Sequence, residues 1–271
     1  MASVLEIQNL QVSYRSREGI LSSALAGVSF DLMPGEIIGV LGESGSGKST
    51  LAVSLVRLLP RNGEIIRGAV HFEGQDLLRA TPDELQQIRG RCISLIFQEP
   101  SLALHPALRA GEQVRQVLAA HSSPGKSALN ERTRQVFAQL FPEDADRISR
   151  SYPHQLSGGQ RQRVLIAQAI ACGPSVVIAD EPTASLDSAT QMELLAVFRT
   201  LRERMGLAMI FITHTQPSSA LWLCRPCASP LRRPGCRVWT GCNRARLAPA
   251  SLHQGFVPVH SGDIRGAWER S

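Results

Sequence analysis

Nine consecutive residues, Gly42-Glu43-Ser44-Gly45-Ser46-Gly47-Lys48-Ser49-Thr50, limit the folds open to this chain more than any other stretch. They follow a short apolar run, Ile37-Ile38-Gly39-Val40-Leu41, and lead into residues 49–59, whose apolar positions recur at helical spacing. An apolar run of that length is the kind of strand buried on both faces of a parallel sheet. Strand, glycine turn and helix together form the setting that a phosphate-binding loop requires. Gly42, Gly45 and Gly47 let the backbone turn so that successive N–H groups converge on a phosphate. The helix that follows adds the positive end of its dipole. Lys48 is expected to reach the β- and γ-phosphates, and the Ser49 hydroxyl to ligate Mg2+. A flexible Gly/Ser turn is the plainer reading, and it has no use for this strand and helix.

Further apolar runs end at polar residues. Residues 4–10 and 28–32 read as strands, with 15–19 as a polar hairpin tip. Residues 93–97, 176–180 and 208–213 read as buried core strands, with a helix over 188–205. Residues 100–152 are helical in pattern, interrupted at Ser122-Ser123-Pro124-Gly125, and 164–171 continue a helix out of Leu156-Ser157-Gly158-Gly159-Gln160. Open α/β sheets collect ligand chemistry at the carboxyl ends of their strands. Asp180, at such an end, is a candidate Mg2+-side acid, and Glu181 a candidate general base for an attacking water. Alone, Asp-Glu-Pro often starts a solvated helix. Gln98 offers a neutral amide for Mg2+ or for the water. His214 follows the strand ending at Thr213, within reach of a γ-phosphate, although a lone histidine there is usually a surface residue. Ser157 with the Gly158 and Gly159 amides makes a second anion site at a helix start.

Taken in order, the phosphate loop, Gln98, Ser157-Gly158-Gly159-Gln160, Asp180-Glu181 and His214 resemble the nucleotide-binding subunit of an ABC transporter, over residues 1 to about 214. The resemblance implies an α/β fold: a P-loop NTPase core with a mixed, mainly parallel sheet. It adds an N-terminal antiparallel β subdomain and a helical subdomain inserted at about residues 100–155, all within residues 1–216. ATP and Mg2+ are the implied ligands, with Ser49, Gln98 and Asp180 on the metal. Tyr14 matches the family's adenine-stacking aromatic, with an ordinary strand tyrosine as the alternative. In the family the turn at Ser157–Gln160 binds the γ-phosphate held by a partner domain, so two ATP are shared in a head-to-tail dimer. That dimer is a homodimer or a pair with a paralogous ATPase. Ser185-Leu186-Asp187 sits where the family contacts the opposite subunit.

Residues 151–157, Gly42-Glu43-Ser44-Gly45, Ile88-Arg89-Gly90-Arg91 and Gly111-Glu112-Gln113-Val114 are similar to the oligopeptide, dipeptide and nickel importers. His105-Pro106 stands where the family has Asn-Pro near its membrane-coupling loop. The implied function is ATP-hydrolysing energy coupling for a binding-protein-dependent importer, with peptides as the implied cargo. The implied partners are two membrane permease subunits and an external solute-binding protein, at the cytoplasmic face of the bacterial inner membrane. A soluble ABC ATPase acting on DNA or ribosomes, and a non-functional remnant of a peptide-transport ATPase, are the rival readings.

Charge bears on those rivals. The net charge of +6 lies wholly in residues 217–271, where eight arginines face one aspartate and one glutamate. The other 21 basic and 21 acidic residues cancel, so the body has no phosphate-backbone footprint and no nucleic-acid partner is expected. Residues 1–7 lack the basic and apolar regions of a signal peptide, and no apolar run is long enough to span a bilayer. A soluble, cytosolic body is expected.

After His214 the family pattern stops. All three tryptophans and four of the six cysteines fall beyond it. Cys224-x-x-Cys227 has metal-ligand spacing, but no second pair at matching spacing follows. A reading-frame shift explains the tail better. Read from the last two bases of each codon plus the first base of the next, Trp222 and Trp239 both become Gly. In that frame Cys224 through Cys227 permit Ala-Asp-Arg-Val, and Leu231 through Trp239 permit Tyr-Ala-Gly-Arg-Val-Val-Glu-Tyr-Gly. Those are segments the family has and this chain lacks. An Arg/Pro/Cys/Trp-rich stretch without periodicity is expected to be disordered and to form no substitute for the lost strand. Limited proteolysis should therefore cut first within 217–271, and mass spectrometry showing that stretch intact would count against the expectation.

Overall fold

The computed structural model describes residues 2–122, 125–184 and 186–213 and the backbone of 236–240. Ser123, Pro124, Ser185, His214 and the Cys224–Cys227 pair lie outside the described residues. The phosphate loop springs from β3 (Ile37–Leu41), buried at every position. Around it β6 (Ile93–Ile96), β7 (Val176–Asp180), β8 (Ala208–Thr213) and β9 (Cys236–Thr240) build a parallel sheet in the order β6-β7-β8-β3-β9. Successive side chains of a strand point to opposite faces. Ile38, Val40, Ile178, Ile210 and Ile212 accordingly enter one apolar cluster, and Ile37, Val177, Ala179, Met209 and Phe211 enter another. Both faces are covered, which is why these strands are continuous apolar runs.

The first cluster is closed by α1 (Lys48–Leu55) and by an antiparallel sheet. That sheet contains β1 (Leu5–Arg15), β2 (Leu21–Leu32), β4 (Gly63–Phe72) and β5 (Gln75–Asp76), in the order β2-β1-β4-β5. β1 runs on past residue 10 because it is paired on both sides, and backbone bonds rather than alternation hold its second half. Its register shifts between Ile7 and Leu10, where Asn9 adopts φ 46°. α1 stops at Leu55, short of residue 59, because Arg57 takes the left-handed conformation at φ 52°. A helix that the apolar pattern alone does not announce, α2 (Pro82–Ile88), starts from a capping box of Thr81 and Glu84.

The second cluster joins the sheet to α4 (Ala110–His121), α5 (Lys126–Leu140), α6 (Ala145–Arg150), α7 (Gly158–Ile170) and α8 (Ser188–Met205), and α3 (Pro100–Ala103) packs on α7. α4, α5 and α6 pack on one another, and α4 and α5 also pack on α7. Among the described residues no helix is long and apolar enough to cross a membrane.

The expectation that nothing replaces the lost terminal strand is corrected over five residues, since β9 pairs in parallel along the whole of β3 from Ile37–Cys236 to Leu41–Thr240. Ladder bonds use backbone groups, which any sequence supplies, and Val238, Trp239 and Thr240 have high strand propensity.

Phe198 of α8 meets Phe211 of β8 edge to face, 5.7 Å between ring centres, and both are buried. Phe198→Ala is expected to cost about 3–5 kcal/mol, read from the midpoint of urea unfolding at unchanged m-value.

Candidate nucleotide-binding site

The loop after β3 is shaped by its own atoms. Gly47, the cap of α1, sits at φ 90°, and a Cβ there would lie 2.4 Å from the Ala24 carbonyl oxygen of β2. Neither that conformation nor that approach suits a residue with a side chain. Lys48 is 5% exposed, and its Nζ donates to Gly42 O at 2.9 Å and Glu43 O at 2.8 Å. The ammonium thus closes the loop Gly42–Gly47 into a ring of amides ahead of α1. Ser46 Oγ is buried within it and has no hydrogen-bond partner among the described residues. Thr50, one turn into α1, shares a 3.1 Å hydrogen bond with Tyr14 Oη. That bond ties the end of β1 to the loop and places Tyr14 beside it.

The carboxyl end of β7 faces the same helix. Asp180 is 7% exposed, and the Ser49 hydroxyl bonds its side chain. Burial pushes the Asp180 carboxyl above the usual carboxylate range, and neighbouring Glu181 pushes the same way. The Ser49 hydroxyl and the Lys48 ammonium pull it down. Asp180 Oδ1 is buried and has no hydrogen-bond partner among the described residues. Glu181 stands at φ 49°, a strained conformation for a non-glycine residue, and its N–H donates to Ile212 O at 2.9 Å. Gln98, two residues past β6, donates from Nε2 to Glu181 Oε2 at 2.9 Å. Lys48, Ser49, Asp180, Glu181 and Gln98, far apart in sequence, therefore meet along one edge of the parallel sheet.

An unpartnered buried carboxylate oxygen beside a serine hydroxyl and a glutamine amide is an all-oxygen set suited to a hard divalent cation such as Mg2+. Those residues fit the metal.

The turn at Ser157 opens α7 with a reciprocal cap: Gln160 N donates to Ser157 Oγ at 3.2 Å, and Ser157 N to Gln160 Oε1 at 3.0 Å. The cap uses one lone pair of the hydroxyl and leaves its proton for another acceptor. Ser157 and Gly158 are exposed. A Cβ on Gly159 would come within 2.6 Å of Thr190 Cγ2, so this turn is packed on the start of α8. There Asp187 caps the helix by accepting from Ala189 N and Thr190 N, which is a structural task for that residue.

His105 does locally what an asparagine does in an Asx turn, because its Nδ1 accepts the Ala107 N–H at 3.2 Å. Gln113 completes the loop by accepting from His105 N and donating to the carbonyls of His105 and Leu108. The structure also brings in residues that the sequence reading did not single out. Thr183 and Gln191 are two of them: Gln191 Nε2 donates to Thr183 O and to Leu186 O, both at 3.0 Å. Thr183 is buried although polar, and no sequence pattern announces it.

Compared with protein families, residues 25–184 match the ABC transporter profile. The chain belongs to the ABC transporter family. This ABC transporter chain is 37% identical over 212 residues to the probable peptide ABC transporter ATP-binding protein y4tR of Sinorhizobium fredii, covering 78% of this chain and 63% of that protein. It is 40% identical over 216 residues to the dipeptide transport ATP-binding protein DppD of Bacillus subtilis, covering 79% and 64%. With the oligopeptide transport ATP-binding protein OppD of Haemophilus influenzae it shares 40% over 215 residues, covering 79% and 66%. The chain thus spans less than two thirds of the length of these relatives. In fold it matches the ATP-binding cassette MJ0796, solved as a dimer in a post-hydrolysis state bound to ADP and Pi. There the TM-score is 0.69 at 30% identity, covering 80% of this chain and 90% of that one.

A raised Asp180 pKa means that the protein alone carries a penalty above the unfolded carboxylate range. The penalty disappears below the unfolded carboxylate range, at about 4. In nucleotide-free, magnesium-free buffer Asp180→Asn should raise the Tm at pH 7, with the gain fading as the pH falls below that range. An equal gain at both pH values would show that burial of the charge is not the cause.

Proposed function

We propose that this chain is the ATP-hydrolysing, energy-coupling subunit of a binding-protein-dependent importer whose cargo is peptides. The observation that carries the reading is the convergence of Lys48 and Ser49 with Asp180, Glu181 and Gln98 at one sheet edge. Lys48 and the loop amides would take the β- and γ-phosphates of ATP, and Tyr14 the adenine. Ser49, Asp180 and Gln98 would hold Mg2+, which neutralises phosphate charge and aligns the transferred group. Glu181 accepts the proton of the attacking water as that water adds to the terminal phosphorus and ADP leaves. The Nε2 bond from Gln98 orients the Glu181 carboxylate for that task. His214 is assigned to the γ-phosphate.

Ser157, Gly158, Gly159 and Gln160 are assigned to the γ-phosphate of a second such domain, identical or paralogous. The hydroxyl proton of Ser157 and the Gly158 and Gly159 amides, which open α7 ahead of its own bonding pattern, suit that acceptor. The names of the relatives support peptide import. We assign the chain two permease subunits and an external solute-binding protein as partners, at the cytoplasmic face of the bacterial inner membrane, as the resemblance to the peptide importers implies. A cleft of about 780 Å³ between β6, α1 and α3 exposes Phe97 (48%) and Leu102 (85%), apolar surface suited to a permease helix.

The unmatched end favours a second reading, an inactive remnant, since the match to the relatives covers 78–79% of this chain. ATP binding by the chain, set beside a version with the tail frame restored, separates the two. For the main reading, Glu181→Gln should lower kcat by about 10²–10⁴-fold while ATP-dependent dimerisation, followed by sedimentation, persists. Unchanged turnover would remove Glu181 from its role.

A further inference from the structure

α1 presents Lys48 and Ser49 in its first turn but has no basic residue in its last. The carbonyls just past its end, those of Val56 and Arg57, are met by Arg89, while Arg57 itself grips the chain in the opposite direction. Arg57 leaves the helix in the left-handed conformation and sends Nη1 to Ala80 O at 2.7 Å and Leu77 O at 3.3 Å. It therefore holds the segment that leads into α2. Arg89, the first residue after α2, reaches back with Nε to Val56 O at 2.7 Å and Nη2 to Arg57 O at 2.8 Å. Each guanidinium fastens to the other's neighbourhood although the two repel. Burial and Arg57 both lower the Arg89 pKa, and the carbonyl end of the α1 dipole offsets that cost.

The backbone of Arg89 is as constrained as its side chain. It forms a parallel bridge with Ile93, and Gly90 N donates to Ile93 O at 2.8 Å. That closed turn opens β6, which leads to Gln98 and through it to Glu181. One side chain thus ties the far end of the phosphate helix to the near end of the strand that carries Gln98. The planar fork of an arginine can engage two carbonyls in fixed directions, which the point charge of a lysine cannot do.

We propose that Arg89 is a positioning residue: clamped with Arg57 on the end of α1, it sets the distance between the phosphate loop and Gln98. The inference rests on the ATPase reading above. It assigns a task to Ile88-Arg89-Gly90-Arg91, a stretch the proposed chemistry does not use.

The test uses the full chain. Phosphates are bound by the loop itself, so Arg89→Ala should lower kcat about tenfold and leave KM for ATP within about twofold. In a Gln98→Ala background the same change should cost less than about twofold, because its effect travels through Gln98. Arg89→Lys, a milder change, should show the same split with a smaller loss. Amide exchange gives a readout independent of turnover. ATP should protect residues 42–50 and 93–99 in the unaltered chain, and only 42–50 in the Arg89 variants. Protection of 93–99 that survives in both variants, or losses in kcat that simply add to that of Gln98→Ala, would overturn the assignment. No nucleotide-dependent protection of 42–50 in the unaltered chain would instead remove the ATPase reading beneath it.

Discussion

An array of backbone amides can receive a polyanion only if its shape survives without one, and here a buried ammonium holds it. The bonds from Lys48 Nζ to the carbonyls of Gly42 and Glu43 brace the loop from inside, and the close approach of Gly47 to Ala24 braces it from outside. The direction in which α1 leaves follows from these two constraints, and with it the reach of Ser49 to Asp180. The antiparallel sheet is part of the same device, because β2 supplies the Ala24 carbonyl and β1 carries Tyr14 to Thr50.

Two adjacent carboxylates occupy unlike surroundings at the end of β7. Asp180 is buried against Ser49 and Lys48 and resists ionisation, whereas Glu181 turns out of the strand at φ 49° and takes the Gln98 amide. Different environments for neighbouring acids push their proton affinities apart, which lets one site give them separate tasks. Both features, the buried charge and the strained backbone, cost stability and gain nothing for the fold. Such costs gather where a ligand is to be met.

Much of this was legible along the chain. β3, β7, β8 and α8 lie where the apolar runs and the helical spacing put them, because strands covered on both faces and a long amphipathic helix write their burial into the sequence. The ends of elements were less legible. α1 stops early at Leu55, ahead of the left-handed Arg57, whose side chain is held by carbonyls some 20 residues away. β1 extends to Arg15 through pairing on two sides, and β9 joins β3 by a ladder that side-chain pattern does not encode.

The sequence by itself determined which chemistry is present: an amide loop with its lysine, an acidic pair, a glutamine after a strand, and a serine-glycine helix start. Local backbone conformation and hydrophobic periodicity act over a few residues and can be read one segment at a time. Tertiary structure alone decided which of these groups meet. The bond between Gln98 and Glu181 spans 83 positions, Tyr14 and Thr50 are 36 apart, and Arg89 closes on the end of α1 across 33. Contacts of that range depend on how twisted sheets and packed helices settle together, and no local pattern records the outcome.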